Sequence, residues 1–195
     1  MQGLMGSLFA AAFLQNVVLM TGFGSSILIR ISRKRRNLLP FSGFLCLFSV
    51  LTSAICYPLD ALAGTGVLVK WLRPCAMVIV SALLYCIVAL VLRRLLPAVY
   101  TRICRLLPLA AFNNLVIGLA IIANHQFAVT FWETIGMSLG ACGGFLILSW
   151  LTAEGMERMD NPDVPKAFRG LPLILMYLGI LALALMGFSG SVSLL

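Results

Sequence analysis

The chain has 195 residues, of which 62% are hydrophobic and only 10% are charged. Soluble domains carry about 25% charged residues, so this composition excludes a soluble domain and indicates an integral membrane protein. The 14 Lys and Arg residues against 6 Asp and Glu residues give a net charge of +8, which in a soluble protein would suggest nucleic acid binding. In a membrane protein such an excess more simply sets the orientation in the bilayer, so we expect no nucleic acid partner.

Six apolar segments follow one another along the chain, and each is long enough to cross a bilayer, which takes about 20 helical residues. Continuous apolar runs without strict alternation favour helices over the strands of a membrane barrel. The sequence therefore predicts a single all-α polytopic membrane domain over residues 1–195, embedded in the lipid bilayer. The predicted transmembrane helices cover residues 4–29, 38–62, 71–96, 103–124, 128–152 and 171–192.

Basic residues are concentrated in three of the predicted loops. Twelve of the fourteen Lys and Arg residues follow spans 1, 3 and 5. These loops share one side of a six-span protein, and the positive-inside rule places that side in the cytoplasm, with both termini outside. The basic run at residues 30–36 is best explained as this orientation signal. The alternative is a lipid or nucleotide site in the same run.

Spans 1 and 4 differ from the other spans because amides and glycines interrupt their apolar runs. Span 1 contains Asn16 ahead of a stretch rich in glycine and serine, and span 4 contains Asn113 and Asn114 after a proline. Interrupted helices at corresponding places of two halves mark binding sites at the membrane midplane, where we expect Asn16 and Asn113. A role in helix packing and interhelical hydrogen bonding is the alternative.

The two interrupted spans open two halves of three spans each, at about residues 1–97 and 98–195. An odd number of spans in each half means that the second half enters the membrane from the opposite side. We therefore predict two inverted three-helix repeats, and we expect the first helix of each repeat to be discontinuous.

Carboxylates are scarce on the predicted outer half, where Asp60 and Glu133 are candidates for an ion path. For Glu133, the alternative is a helix-end carboxylate at the membrane interface beside an aromatic anchor. The loop after span 5 combines four acids, three bases and two prolines. This composition predicts a rigid docking loop, with Phe168 and Arg169 as its contact residues. The alternative is that these two residues simply anchor the loop at the membrane interface.

Two features of spans 2 and 5 favour close helix packing. Gly140 and Gly144 form a GxxxG pattern, which lets two helices approach each other closely. Cys46 and Cys142 occupy corresponding places in the two spans, where a buried thiol behaves as a small apolar side chain. Metal ligation is the alternative, but no Cys-x-x-Cys or Cys/His spacing supports it, so no metal site is expected. Common nucleotide-binding and hydrolase motifs are also missing, so no catalytic residue is assigned.

Several stretches, in order along nearly the whole chain, resemble the RnfA/NqrE family of membrane subunits. The most specific are DVPKAFRG at residues 163–170 and LALMGFSG at residues 183–190. The NVVL segment at residues 16–19, the SAICYPLD segment that ends at Asp60 and the LPL at residues 107–109 also match. The resemblance implies a subunit of an Rnf or Nqr complex in the bacterial cytoplasmic (inner) membrane, in which a redox reaction drives the movement of Na+ or H+.

The resemblance also implies a partner and a cofactor. Members of the family pair as a heterodimer with a related, oppositely oriented six-helix subunit inside the larger complex, and an iron–sulfur cluster of the [2Fe–2S] type is shared across the pair. The family's ligands are a cysteine of span 1, in a Gly-x-Cys-Pro pattern, and a cysteine of span 4, in a Thr-Asn-Cys pattern. In the present sequence these positions are Ser26 and Asn114.

Both replacements remove the chemistry that holds iron. Clusters are bound by thiolates, and neutral Ser and Asn side chains supply neither the soft donor nor the negative charge. We therefore expect no cofactor on this chain, which would make it a non-catalytic or modified subunit of a translocase. The alternative is a cluster-free cation or small-solute carrier or channel on the same scaffold, in which Asn16, Asn113 and Asn114 bind the solute.

Overall fold

The structure is a computed structural model that describes residues 2–9, 11–12, 17–63, 67–122, 130–159, 164–165 and 168–192. Within these residues the regular structure is helical throughout, as the composition predicts. A short 3-10 helix, Arg35–Asn37, precedes the fourth α-helix. The α-helices are α1 (Gln2–Phe9), α2 (Val17–Thr21), α3 (Ser25–Ser32), α4 (Leu38–Ala63), α5 (Val67–Leu95), α6 (Pro97–Ile103), α7 (Leu107–Ala111), α8 (Asn114–Ile122), α9 (Phe131–Met159) and α10 (Leu171–Val192).

Three of the described segments are long and apolar enough to cross a membrane, namely Arg35–Pro58, Pro74–Leu95 and Phe131–Met159. Two shorter apolar stretches cover Leu107–Ile121 and Leu171–Gly187. With a rise of about 1.5 Å per residue, the 26 residues of α4 extend about 39 Å, more than the apolar thickness of about 30 Å. The full count of six spans and their arrangement as inverted repeats stay predictions.

Both spans that the sequence predicts to be discontinuous are interrupted in the structure. Residues 22–24 separate α2 from α3, and residues 112–113 separate α7 from α8. At the first interruption Gly22 and Gly24 have φ angles of 72° and 78°. Residues with a side chain rarely adopt this left-handed conformation, so glycine is what allows the chain to turn there.

The core is built around α4 and α9. The buried rings of Phe41 and Phe145 pack between them with centroids 5.9 Å apart. Two buried hydroxyls, those of Ser53 and Ser138, form a hydrogen bond of 2.8 Å across the same interface. Such pairing avoids the cost of an unpaired polar group in an apolar environment. Helices α5 and α10 expose apolar side chains at the surface of the molecule, including Leu83, Ile87, Ile180 and Leu183. Contact with lipid requires such an apolar surface.

Helix α1 packs closely against α9 at Gly140. A Cβ atom at Gly140 would overlap the carbonyl oxygen of Leu8 and would lie 3.0 Å from the Cβ of Ala11. A Cβ atom at Gly143 would meet no atom within 4 Å. The close packing that the GxxxG pattern predicts therefore occurs at Gly140, and it is made with the first helix of the chain.

Candidate functional site at the crossing of two interrupted helices

The two helix interruptions lie against each other in the structure. A Cβ atom added to Gly24 would lie 3.3 Å from Oδ1 and 3.5 Å from Nδ2 of Asn113. The ring of Phe23 covers Gly118 of α8 so closely that a Cβ there would overlap it. We call these four residues, Phe23, Gly24, Asn113 and Gly118, the helix crossing. It joins the first span of the chain to the fourth.

Asn113 is the buried polar residue of the crossing, with 0% of its surface exposed. Its Oδ1 accepts a hydrogen bond of 3.1 Å from the backbone N–H of Leu115 and so caps the start of α8. Its Nδ2 has no hydrogen-bond partner among the described residues. Because an unsatisfied buried donor costs free energy, an acceptor placed beside Nδ2 would be stabilised.

Helix α5 supports the second interruption from the side. The hydroxyl of Ser81, itself buried, donates a 2.7 Å hydrogen bond to the carbonyl of Ala111, at the end of α7. Phe112 is 46% exposed, and its ring lies 5.7 Å from the ring of Tyr85. A helix end inside a membrane needs such partners because its last carbonyls lack intrahelical donors.

The two positions that the family resemblance implies for cluster ligands, 26 and 114, flank the crossing but do not form its buried contact. Ser26 is exposed in the first turn of α3, and Asn114 is the exposed first residue of α8. The donors that they offer are a neutral hydroxyl and a neutral amide, which do not fit an iron–sulfur cluster. The exposed side chains at 26 and 114 are instead accessible to a neighbouring protein or to lipid.

The cysteine pair of spans 2 and 5 lies together in the core. Cys142 is buried in the apolar core cluster, and the partly buried Cys46 packs against that cluster. A [2Fe–2S] cluster takes four protein ligands, so these two thiols alone do not hold one. In the described part of the chain, no three His, Cys, Asp or Glu side chains are grouped closely enough to hold a metal ion.

Glu133 lies in the first turn of α9, and its carboxylate is used locally. Its Oε2 accepts hydrogen bonds of 3.1 Å from both the backbone N–H and the hydroxyl of Thr130. A carboxylate that reaches back to the residue before the helix satisfies an otherwise unpaired donor and favours the positive helix end. Phe131 and the exposed Trp132 stand beside it with ring centroids 5.8 Å apart. This is the helix-end environment considered as the alternative to an ion path.

The remaining predicted residues are described only in part. Asn16 lies outside the described residues, and Asp60 belongs to α4 but its side chain is not among the described groups. Phe168 is half exposed, and Arg169 is exposed in the turn before α10. The Arg169 Nε donates a hydrogen bond of 2.9 Å to the carbonyl of Val164, which ties the start of α10 to the preceding loop.

One group of contacts was missed by the sequence reasoning. Arg35, in the basic run after span 1, forms an ion pair with Glu154 and a second one, of 3.4 Å, with Glu157. Arg158 also contacts Glu154 at 3.6 Å. The sequence contains a signal for these ion pairs, because a basic run follows span 1 and acidic residues follow span 5. Oppositely charged loops on the same side of the membrane can form such pairs. These contacts place the loops after spans 1 and 5 at the same end of the molecule.

Comparison with known proteins shows the family of this chain. A family model described as "Rnf-Nqr subunit, membrane protein" matches residues 4–192. The chain belongs to the Rnf-Nqr subunit family. A relative from Syntrophotalea carbinolica, named as the A subunit of an ion-translocating oxidoreductase complex, is 32% identical over 192 residues, which cover 98% of this chain and 99% of the relative.

A second Rnf-Nqr relative carries a more specific name. This protein of Acetobacterium woodii is named as the A subunit of a Na(+)-translocating ferredoxin:NAD(+) oxidoreductase complex. It is 30% identical over 183 residues, which cover 94% of this chain and 95% of the relative. A third relative, from Rhodobacter capsulatus, bears the same name as the first and is 29% identical over 192 residues, again nearly full length. Family membership, predicted from short ordered motifs, is therefore confirmed along the whole chain.

Proposed function

We propose that this chain is a membrane subunit of an ion-translocating electron transport complex of the Rnf/Nqr type. The observation that carries the proposal is the match over nearly the full length to relatives named as the A subunits of such complexes. The helix crossing supports it, because discontinuous helices that meet inside a membrane are typical of ion-translocating proteins. The coupling ion is Na+ or H+, and Asp60 and Glu133 are the candidate carboxylates of its path.

We further propose that this chain supplies no ligand to an iron–sulfur cluster. Ser26 and Asn114 stand at the family's ligand positions, and both are neutral and exposed. A related six-helix subunit of opposite orientation would pair across this exposed side of the crossing, as the family resemblance implies. Within the complex the chain is then a modified subunit that completes the scaffold while electrons pass through other subunits.

Purification with associated subunits tests the complex. The chain carrying an affinity tag is extracted from its native membrane in mild detergent, and the accompanying proteins are identified by mass spectrometry. We expect a related six-span protein and further subunits in stoichiometric amounts. Recovery of the tagged chain alone, in several mild detergents, would contradict the proposed function.

Iron content and visible absorption of the purified chain test the ligand claim separately. The wild-type chain is expected to carry no cluster, whereas the double variant Ser26→Cys with Asn114→Cys restores both thiols and is expected to gain iron when its partner is present. Each single variant is the matched control. A cluster in the wild-type protein that disappears in Cys46→Ser would show that the chain binds iron through other ligands.

A second function is favoured by one observation, the presence of buried polar atoms without partners. Among the described residues these are Ser49 Oγ, Thr52 Oγ1 and Asn113 Nδ2. They would suit a cluster-free carrier or channel for a small solute. Because Nδ2 is a donor, it favours a solute with an acceptor group over a cation. Flux into liposomes that contain only this chain tests the carrier, and the absence of flux with alkali cations and small solutes would exclude it.

A further inference from the structure

A pocket with a volume of about 710 Å³ opens at the end of the molecule that carries the loops after spans 1 and 5. It lies between the end of α3, the last turns of α9 and the start of α10. We call it the arginine pocket. Its charged side is formed by Arg33, Arg35, Glu157 and Arg169, and its apolar side includes Met156 and Leu173.

Among the described residues that line the arginine pocket, three carry a guanidinium group and one carries a carboxylate. Arg35 is already engaged by Glu154 and Glu157, so its charge is compensated locally. Arg33 forms no ion pair within the described part of the chain and is exposed. The guanidinium fork matches the oxygens of a phosphate better than any other side chain does. The pocket therefore favours a phosphate-bearing anion.

The position of Arg169 and the start of α10 add to this preference. The 2.9 Å hydrogen bond from Nε to the carbonyl of Val164 holds the Arg169 side chain at the rim of the pocket. Gly170 and Leu173 also line the pocket, so the first turn of the 22-residue helix α10 borders it. The positive end of a helix dipole favours an anion placed there.

We propose that the arginine pocket binds the phosphate of an anionic phospholipid head group. A free phosphate would use the arginines but would gain nothing from the apolar side formed by Met156 and Leu173. A phospholipid uses both, since its acyl chains continue onto the exposed apolar surface of α10 at Leu171 and Leu175. Basic pockets between membrane helices on the cytoplasmic side bind lipid head groups in this way. An acidic protein segment would satisfy the arginines but not the continuity with the lipid-facing surface.

Lipid titration of the delipidated full-length chain tests the proposal. The protein in detergent is titrated with phosphatidylglycerol, with phosphatidylcholine and with inorganic phosphate, and binding is followed by native mass spectrometry. Phosphatidylglycerol is expected to bind more tightly than phosphatidylcholine. Arg33→Gln should weaken phosphatidylglycerol binding about fivefold, and the double variant with Arg169→Gln should weaken it about 25-fold.

The matched control is Arg94→Gln, since Arg94 is exposed in the last turn of α5 and does not line the pocket. This variant should bind phosphatidylglycerol like the wild type. Arg33→Lys should lose less binding than Arg33→Gln, because it keeps the charge but not the fork that pairs with two phosphate oxygens. An equal loss in Arg94→Gln would show diffuse surface attraction and overturn the proposal.

Three other outcomes would also overturn the lipid assignment. Displacement of the lipid by millimolar inorganic phosphate would identify a site for a free anion. Loss of lipid binding when a second protein of the complex is retained would identify a protein interface. Unchanged lipid binding in the double variant would show that Arg33 and Arg169 do not contribute to the site. Size-exclusion chromatography of each variant separates these results from misfolding.

Discussion

At the scale of single residues, two neighbouring amides have different surroundings. Asn113 is fully buried and caps α8, whereas Asn114 is exposed at the first position of the same helix. The sequence places both amides in the interrupted span but does not say which one is buried. That is decided by the approach of Gly24 from the other interrupted span.

Replacement of the two amides by alanine is expected to give different losses of stability. Asn113→Ala removes the acceptor for the N–H of Leu115, and loss of such a cap costs about 1 kcal/mol. Asn114→Ala, the matched control, should change stability by less than about 0.5 kcal/mol because its side chain is exposed. Thermal unfolding in detergent, followed by circular dichroism, measures both. Equal losses in the two variants would show that the cap is unimportant.

Glu133 allows a residue-level test that separates its capping contacts from a role in ion movement. Glu133→Gln keeps an oxygen that can accept from Thr130, so it should lose much less stability than Glu133→Ala, which should lose about 1 kcal/mol. Unfolding of both variants in detergent checks this order. A stable Glu133→Gln protein that abolishes ion transport by the complex would support the ion path, and unchanged transport would assign the carboxylate to capping alone.

At the scale of secondary structure elements, close approach of helices depends on glycines at specific positions. Gly118 accommodates the ring of Phe23 at the helix crossing, and Gly140 accommodates the backbone of α1 at Leu8. The GxxxG pattern predicts a close contact in span 5. It does not identify the partner helix, because that depends on how the segments before and after it pack.

The two glycines of span 5 that differ in their surroundings form a matched pair for mutagenesis. Gly140→Ala places a Cβ against the carbonyl of Leu8 and should cost about 1–3 kcal/mol by overpacking. Gly143→Ala meets open space, and it should be neutral or stabilise α9 by up to about 1 kcal/mol. Thermal unfolding and recovery after detergent extraction measure the difference. A stable Gly140→Ala protein would contradict the close packing of α1 on α9.

The helices themselves were largely predictable, and their side-chain partners were not. The predicted spans at residues 38–62 and 171–192 nearly coincide with α4 and α10, because apolar run length alone defines such segments. The interruptions near Gly24 and Asn113 were also predictable, since glycines and amides break the apolar pattern. The use of Glu133 as a cap and the pairing of Arg35 with Glu154 depend on three-dimensional packing that a single sequence does not encode locally.

At the scale of the whole molecule, the distribution of basic residues predicts which end faces the cytoplasm. The structure brings the loops after spans 1 and 5 to one end through the Arg35 ion pairs and the arginine pocket. The predicted topology has four membrane spans between these two loops. An even number of spans returns the chain to the same side, so the two loops should share an end. The sign of their charge predicts that this end is cytoplasmic.

Reporter fusions test this orientation. A C-terminal alkaline phosphatase fusion is expected to be active and a C-terminal fluorescent protein fusion to be dark, because the C-terminus is predicted to lie outside. Neutral replacements at Arg33, Lys34, Arg35 and Arg36 should produce a mixed orientation, since they remove the strongest topological signal. Neutral replacements at Lys70 and Arg73, on the opposite side, serve as the control. An inactive phosphatase fusion of the wild-type chain would contradict the predicted orientation.

The ion pair between Arg35 and Glu154 also has a consequence for the time course of synthesis. The two residues are 119 positions apart, and at about 5–20 residues per second the ribosome needs roughly 6–24 s to travel between them. During that interval Arg35 has no Glu154 carboxylate to pair with, so its positive charge is available as an orientation signal. The carboxylate of Glu154 is synthesised only after α4 and α5, which precede it in the chain. On the predicted orientation, the same side chain first contributes to the topological signal of the nascent chain and later pairs with Glu154 in the folded protein.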